Sequence, residues 1–154
     1  SEQNMMGMAA GIASENCNVF VYSIANFSTF RCAEQIRNDI DYHKLPVTIV
    51  SVGSGVGYGN LGYTHHALQD YALMRSFPNM QILSPGNNNE LIGLLNYIKK
   101  NPQPSYLRLD KSEHEDIKYK KILISPGKII KLADGYKKKN TFNHRKYSKL
   151  SKKY

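Results

Sequence analysis

Cysteine is scarce in this sequence: only Cys17 and Cys32 occur among 154 residues, in neither a CxxC pair nor a metal-ligand spacing. That excludes a disulfide scaffold, and both thiols are expected in apolar surroundings, where a reduced cysteine behaves as a small hydrophobe. Long apolar runs are missing too. No stretch nears the roughly twenty apolar residues of a membrane span and no basic-then-apolar leader opens the chain, so a cytoplasmic protein is expected. Acidic residues are absent from 136–154, which hold eight of the 21 basic residues and leave the rest near balance, 13 basic to 12 acidic. The formal charge of +9 therefore belongs to a tail, which reads as a disordered, self-repelling end. Nucleic acid is accordingly not an expected partner.

What the sequence does have, from 18 to 110, is alternation between short β-rich runs and helical stretches. NVFVYSI (18–24), Val47 to Val52, MQILSP and PSYLRLD read as strands. The unbroken apolar character of the second suits a strand buried on both faces. Between them, TFRCAEQIRNDIDYH (29–43) has Phe30, Ala33, Ile36, Arg37 and Ile40 at helical spacing, and helices are also expected over 65–76 and after Asn87 to Asn89, whose side chains can cap NELIGLLNYIKKN. A further helix at 2–14 has Ser1 as N-cap and a buried side of Met5, Met6, Met8, Ala9 and Ile12, with Gly7 and Gly11 permitting close backbone approach. Strands separated by helices predict an α/β fold, a mainly parallel sheet with helices on both faces.

Three features stand where chemistry can occur: Glu2 at a helix start, the aromatic pair of NFSTF (Phe27 and Phe30), and GNLGYTHHALQD. Singly, each reads as ordinary structure. A first-turn glutamate complements the helix dipole, aromatic residues after a strand join the core, and glycines before a helix mark a turn. The glycine-rich GSGVGYGNLG lacks the Lys-Ser/Thr of a phosphate loop. Adjacent histidines on a helix diverge by about 100°, which disfavours zinc, while His66 and Asp70 at i,i+4 read as a hydrogen-bonded pair. No metal site is expected on this chain.

In this order and spacing the segments SEQNMMGMAAGIA, NFSTFRCAEQIRND, LPVTIVSVGSGVGYGNLGYTHHALQDYALMRSFPNM, SPGNNNE and PSYLRLDK resemble the pyrimidine-binding domain of transketolase-like, thiamine-diphosphate-dependent enzymes. The likeness is greatest to the carboxy-terminal subunit of two-chain transketolases; 1-deoxyxylulose-5-phosphate synthases and 2-oxo-acid dehydrogenase beta subunits share parts of the layout. The resemblance implies transfer of a two-carbon ketol unit between sugars. It implies that Glu2 hydrogen-bonds the pyrimidine N1′ nitrogen from a site that is desolvated, with a raised pKa, in the resting cofactor complex, and that Phe27 and Phe30 wall the pyrimidine ring. It gives His65 a donor-sugar contact with proton shuttling, and Lys111 a phosphate contact. The Gly-Asp-Gly stretch that binds diphosphate and Mg²⁺ in the family is absent, which implies a diphosphate-binding partner chain and a hetero- or homo-oligomer. The alternative is a remnant or interaction module that binds no cofactor.

Departures accompany the likeness. Leu61 stands where an acidic residue is common and Gly53 where a histidine is, so standard sugar-phosphate specificity is not implied. Such domains have roughly fifty more residues before the glutamate and continue into a third domain. The expectation is a fragment: 1–111 a partial pyrimidine-binding module, 112–135 a linker towards a missing C-terminal domain, and 136–154 a basic tail of the kind a slipped reading frame would produce.

Overall fold

The β-branched run Val47–Val52 forms β2, which pairs in parallel on both sides, with β1 (Val19–Ile24) and with β4 (Ser105–Leu109). The fourth strand, β3 (Gln81–Leu83), lies parallel along the outside of β4, so the order is β1-β2-β4-β3. This computed structural model describes residues 1–111 and the isolated Gly127; the expected linker at 112–135 and basic tail at 136–154 lie outside them, that glycine aside. Among the described residues, no helix is long and apolar enough to cross a membrane.

Helices cover both faces, unequally. One face carries α1 (Glu2–Ser14), a helical segment over 25–41 and α4 (Asp70–Arg75), which enclose Met6, Ala9, Cys32, Ile36, Ile40 and Met74 against Val21, Ile49 and Tyr106. The other carries α5 (Asn88–Lys100), whose Leu94 and Ile98 pack on Leu83 and Leu107. That helix does not reach the β1 edge, where Phe20 and Tyr22 stay exposed. Asn87 caps α5 by accepting the Glu90 N–H at 2.9 Å, while the Glu90 carboxylate accepts the Gly86 N–H at 2.8 Å, a reciprocal arrangement close to a capping box.

Several expectations need correction. In α1 the buried side is Met6, Ala9, Ala10 and Ala13; Met8 and Ile12 are exposed because nothing described packs on that side. A Cβ on Gly7 or Gly11 would meet nothing within 4 Å, so neither allows a close approach here, and Ser1 occupies the N-cap without a side-chain hydrogen bond. The second helical segment begins at Ala25 (α2, Ala25–Thr29), tightens to a 3₁₀ turn at Phe30–Cys32, continues as α3 (Ala33–Gln35) and widens into a π turn at Ile36–Asp41. The helix expected over 65–76 shrinks to Asp70–Arg75, because Gly55 and Ala67 exchange backbone hydrogen bonds of 3.0 and 2.9 Å and hold 65–67 outside any helix. Cys32 is buried, and burial, with the negative charge of Glu2, pushes its thiol up to about 11; Cys17 is exposed, contrary to expectation.

Candidate active site at the carboxyl ends of the strands

Parallel strands deliver the following loops to one edge of a sheet, where α/β proteins bind ligands. Here β1 runs directly into 25–30, β2 into the loop 53–69 and β4 into Asp110 and Lys111, while the N-terminus of α1 returns to the same edge. Glu2 therefore sits beside the end of β1: its Oε1 accepts from the Ser23 hydroxyl at 3.4 Å and its Oε2 from Arg31 Nη1 at 2.7 Å. Its own backbone N–H and the Arg31 guanidinium hold the carboxyl below the usual glutamate range. The desolvation that would raise it is outweighed in this chain by itself; the raised pKa expected belongs to the cofactor complex.

From Glu2 a continuous run of contacts crosses the edge. The Arg31 guanidinium lies over the Phe27 ring, 4.6 Å from its centroid. Phe27 meets the His65 ring edge-on at 5.1 Å. The Tyr58 ring is 6.0 Å from His65 on centroids, and the Lys111 ammonium lies over Tyr58 at 4.6 Å. Four expected residues, Glu2, Phe27, His65 and Lys111, are thus brought together from distant parts of the chain. Phe30 does not join them. It is 44% exposed at the start of a 3₁₀ turn.

The loop 53–69 is held by unlike means at its two ends. Near its start, Gly53 has φ +89, and a Cβ there would collide with the Tyr58 ring. Tyr58 thus fills the space that a longer residue at 53 would occupy, and its partial burial pushes the phenol pKa up. Near its finish, Asn26 Nδ2 donates to the Thr64 carbonyl at 2.6 Å, and the Thr64 hydroxyl sits 3.0 Å from His65 Nδ1. With Nδ1 engaged, Nε2 is the nitrogen left to face a ligand. The expected His66–Asp70 bond is not formed. His66 Nε2 donates to the Gly59 carbonyl at 2.8 Å, whereas Asp70, fully buried, accepts from the Tyr106 hydroxyl at 2.7 Å and pairs with Arg108 at 2.8 Å. Arg108 also donates to the Ala67 carbonyl at 2.6 Å and lies over the Tyr71 ring, so β4 anchors the end of the loop that bears His65.

Beyond Lys111 the edge opens into a cavity of about 450 Å³ lined by Ser54, Val56, Gly57, Asp110 and Lys111. Among the described residues no three His, Cys, Asp or Glu side chains come close enough to hold a metal ion. Sequence reasoning missed Arg31 and Tyr58. Arg31 had a local signal, since it stands four residues after Phe27 on a helical segment and so shares its face; Tyr58 had none, because only the folded loop brings it to His65.

The carboxyl edge of this parallel α/β sheet thus gathers an acidic helix start, the Phe27 ring and a histidine-bearing loop. The family model of the transketolase pyrimidine-binding domain matches residues 1–115, and the chain belongs to that family. It is 37% identical over 117 residues to an apulose-4-phosphate transketolase subunit of Phocaeicola vulgatus, covering 76% of this chain and 38% of that one. Against a 1-deoxy-D-xylulose-5-phosphate synthase of Syntrophomonas wolfei it is 33% identical over 138 residues, 87% of this chain and 21% of that one. A split-gene transketolase solved as an inactive β4 tetramer superposes with a TM-score of 0.72 at 34% identity, over 83% of this chain and 41% of its own. The chain spans about two fifths of the length of the apulose-4-phosphate transketolase relatives.

Proposed function

We propose that this chain supplies the pyrimidine side of a thiamine-diphosphate site in a transketolase-like, ketol-transferring enzyme. The observation that carries the reading is the unbroken run of contacts from Glu2 through Phe27 and His65 to Lys111. The residues present fit a flat, nitrogen-bearing ring, since the Glu2 carboxylate and the Phe27 face together already hold one planar, delocalised group, the Arg31 guanidinium. Diphosphate and Mg²⁺ would be held by a partner chain, in keeping with relatives that are named as single subunits of a transketolase and a related β4 tetramer described as inactive.

When bound, the cofactor supplies a thiazolium carbon that takes up the ketol unit and stabilises negative charge on it. Glu2 then holds a proton at its carboxyl against the pyrimidine nitrogen, which requires the Arg31 charge to be withdrawn. Phe27 orients the ring by stacking. His65 faces the donor sugar with Nε2 and moves its hydroxyl proton. Lys111, beside the open cavity, receives a phosphate as a point charge. Leu61, exposed on the loop that carries His65, offers no acceptor to a sugar hydroxyl, unlike an acidic residue at that position.

Near-ultraviolet circular dichroism tests the reading directly. The full chain is mixed with a diphosphate-binding transketolase subunit, Mg²⁺ and thiamine diphosphate, and Glu2→Gln serves as control. A cofactor-dependent band that the control lacks supports the assignment; a folded mixture without the band defeats it.

A further inference from the structure

The chemistry above gives no positive part to two members of the contact run, Tyr58 and Arg31, and of these only Arg31 reaches the Glu2 carboxylate. It stands four residues after Phe27, so its side chain returns over the same helical face, and its guanidinium carbon lies 4.6 Å from the Phe27 centroid. From there Nη1 reaches the Glu2 carboxylate at 2.7 Å. The first turn of α1 fastens it a second time, because Gln3 Nε2 donates to the Arg31 carbonyl at 3.1 Å. A guanidinium is flat, delocalised and edged with N–H donors, and it stacks on aromatic faces while pairing with carboxylates. An aminopyrimidine shares the flatness, and its ring nitrogen meets the same carboxyl as an acceptor once that carboxyl holds a proton. Both groups call on the same carboxylate and the same ring face.

We propose that Arg31 is a built-in occupant of the pyrimidine position, which an arriving aminopyrimidine must displace from Glu2 and Phe27. The inference rests on the reading of those two residues as the pyrimidine side of the site. It explains how a first-turn carboxylate and an aromatic wall keep one geometry before any ligand arrives: the guanidinium bridges them. The Arg31 side chain is 48% exposed, so it can swing into water without burying its charge elsewhere. Removing it opens the position at the cost of one cation–aromatic contact and one half-open ion pair, both modest.

The test uses the full chain and, as probe, the free hydroxymethyl aminopyrimidine that corresponds to one half of thiamine. Binding is followed by nuclear magnetic resonance shifts of the Phe27 and His65 rings. Arg31→Ala is expected to bind roughly three- to thirty-fold more tightly than the parent chain, the range those two contacts allow. Arg31→Lys, which keeps the charge without the flat fork, should gain less. Arg31→Gln, closer in size, serves if the alanine variant fails to give the parent circular dichroism spectrum. Equal binding by parent and variants would remove the occupant and leave the Glu2–Phe27 reading intact. Weaker binding by the variants would make Arg31 a ligand contact and overturn the proposal. Absence of binding to all of them would overturn both readings together.

Discussion

Among the described residues, two arginine–carboxylate pairs stand at almost equal distances, and they do different work. Arg108 meets Asp70 at 2.8 Å with side chains 14% and 0% exposed; Arg31 meets Glu2 at 2.7 Å with 48% and 20%. The first pair is surrounded. Asp70 also accepts the Tyr106 hydroxyl, and Arg108 is engaged by the Ala67 carbonyl and the Tyr71 ring. The second pair touches water and has one aromatic neighbour, Phe27. A buried pair fixes one geometry, because releasing either partner strands a charge; a half-open pair can exchange its partner at little cost. Distance alone would have ranked them as equals. Their surroundings make one an anchor for the loop that carries His65 and the other a removable bridge at the ligand edge.

Asp70→Ala should break that comparison most violently. It leaves the Arg108 guanidinium and the Tyr106 hydroxyl without their carboxylate in the core, a loss of about 3–5 kcal/mol, which is much of the stability of an ordinary domain. Urea denaturation of the full chain measures it, and a loss below about 1 kcal/mol would mean that the pair is not the anchor described. A sharper contrast applies one substitution at both sites. Arg108→Lys gives up the contact with the Ala67 carbonyl and the stacking on Tyr71, and should cost about 1–3 kcal/mol while loosening the His65 loop. Arg31→Lys should change stability by no more than a few tenths of a kcal/mol. Equal losses from the two substitutions would erase the distinction.

The two pairs are also unequally legible in the sequence. The sheet can be read because its strands are β-branched runs, and Glu2, Phe27, His65 and Lys111 because their joint spacing carries the family likeness. Spacing gives Asp70 the wrong partner. It starts the helix five residues early, which puts His66 and Asp70 on one face; the pairing of Gly55 with Ala67 instead postpones the helix until Asp70 and turns its carboxylate towards β4. That pairing is a tertiary event with no local signature. The helix expected over 29–43 is likewise not uniform, since the backbone tightens to a 3₁₀ turn over Phe30–Cys32 that periodicity does not foretell. In α1, Met8 and Ile12 look like core by composition, yet burial needs a packing partner, and none of the described elements covers that side.

The smallest effect is expected at Glu2, and its sign is the informative part. The backbone N–H and the Arg31 guanidinium hold the Glu2 carboxyl below its usual value of 4.5 in the folded chain. A depressed folded-state pKa contributes stability above the unfolded value and loses it as pH falls through the folded one. The stability difference between the parent chain and Glu2→Gln should therefore be constant at neutral pH and shrink below pH 4.5. Being solvent-accessible, it should also fall with added salt, whereas the loss caused by Asp70→Ala should hardly respond. Thermal midpoints across pH 3–7 at two ionic strengths, about 0.05 and 0.5 M, give both readings in one series. A difference that grew on acidification would mean that the folded chain raises the Glu2 pKa, as a desolvated acid ready to donate to a ring nitrogen, and the guanidinium would not be its resting partner in solution.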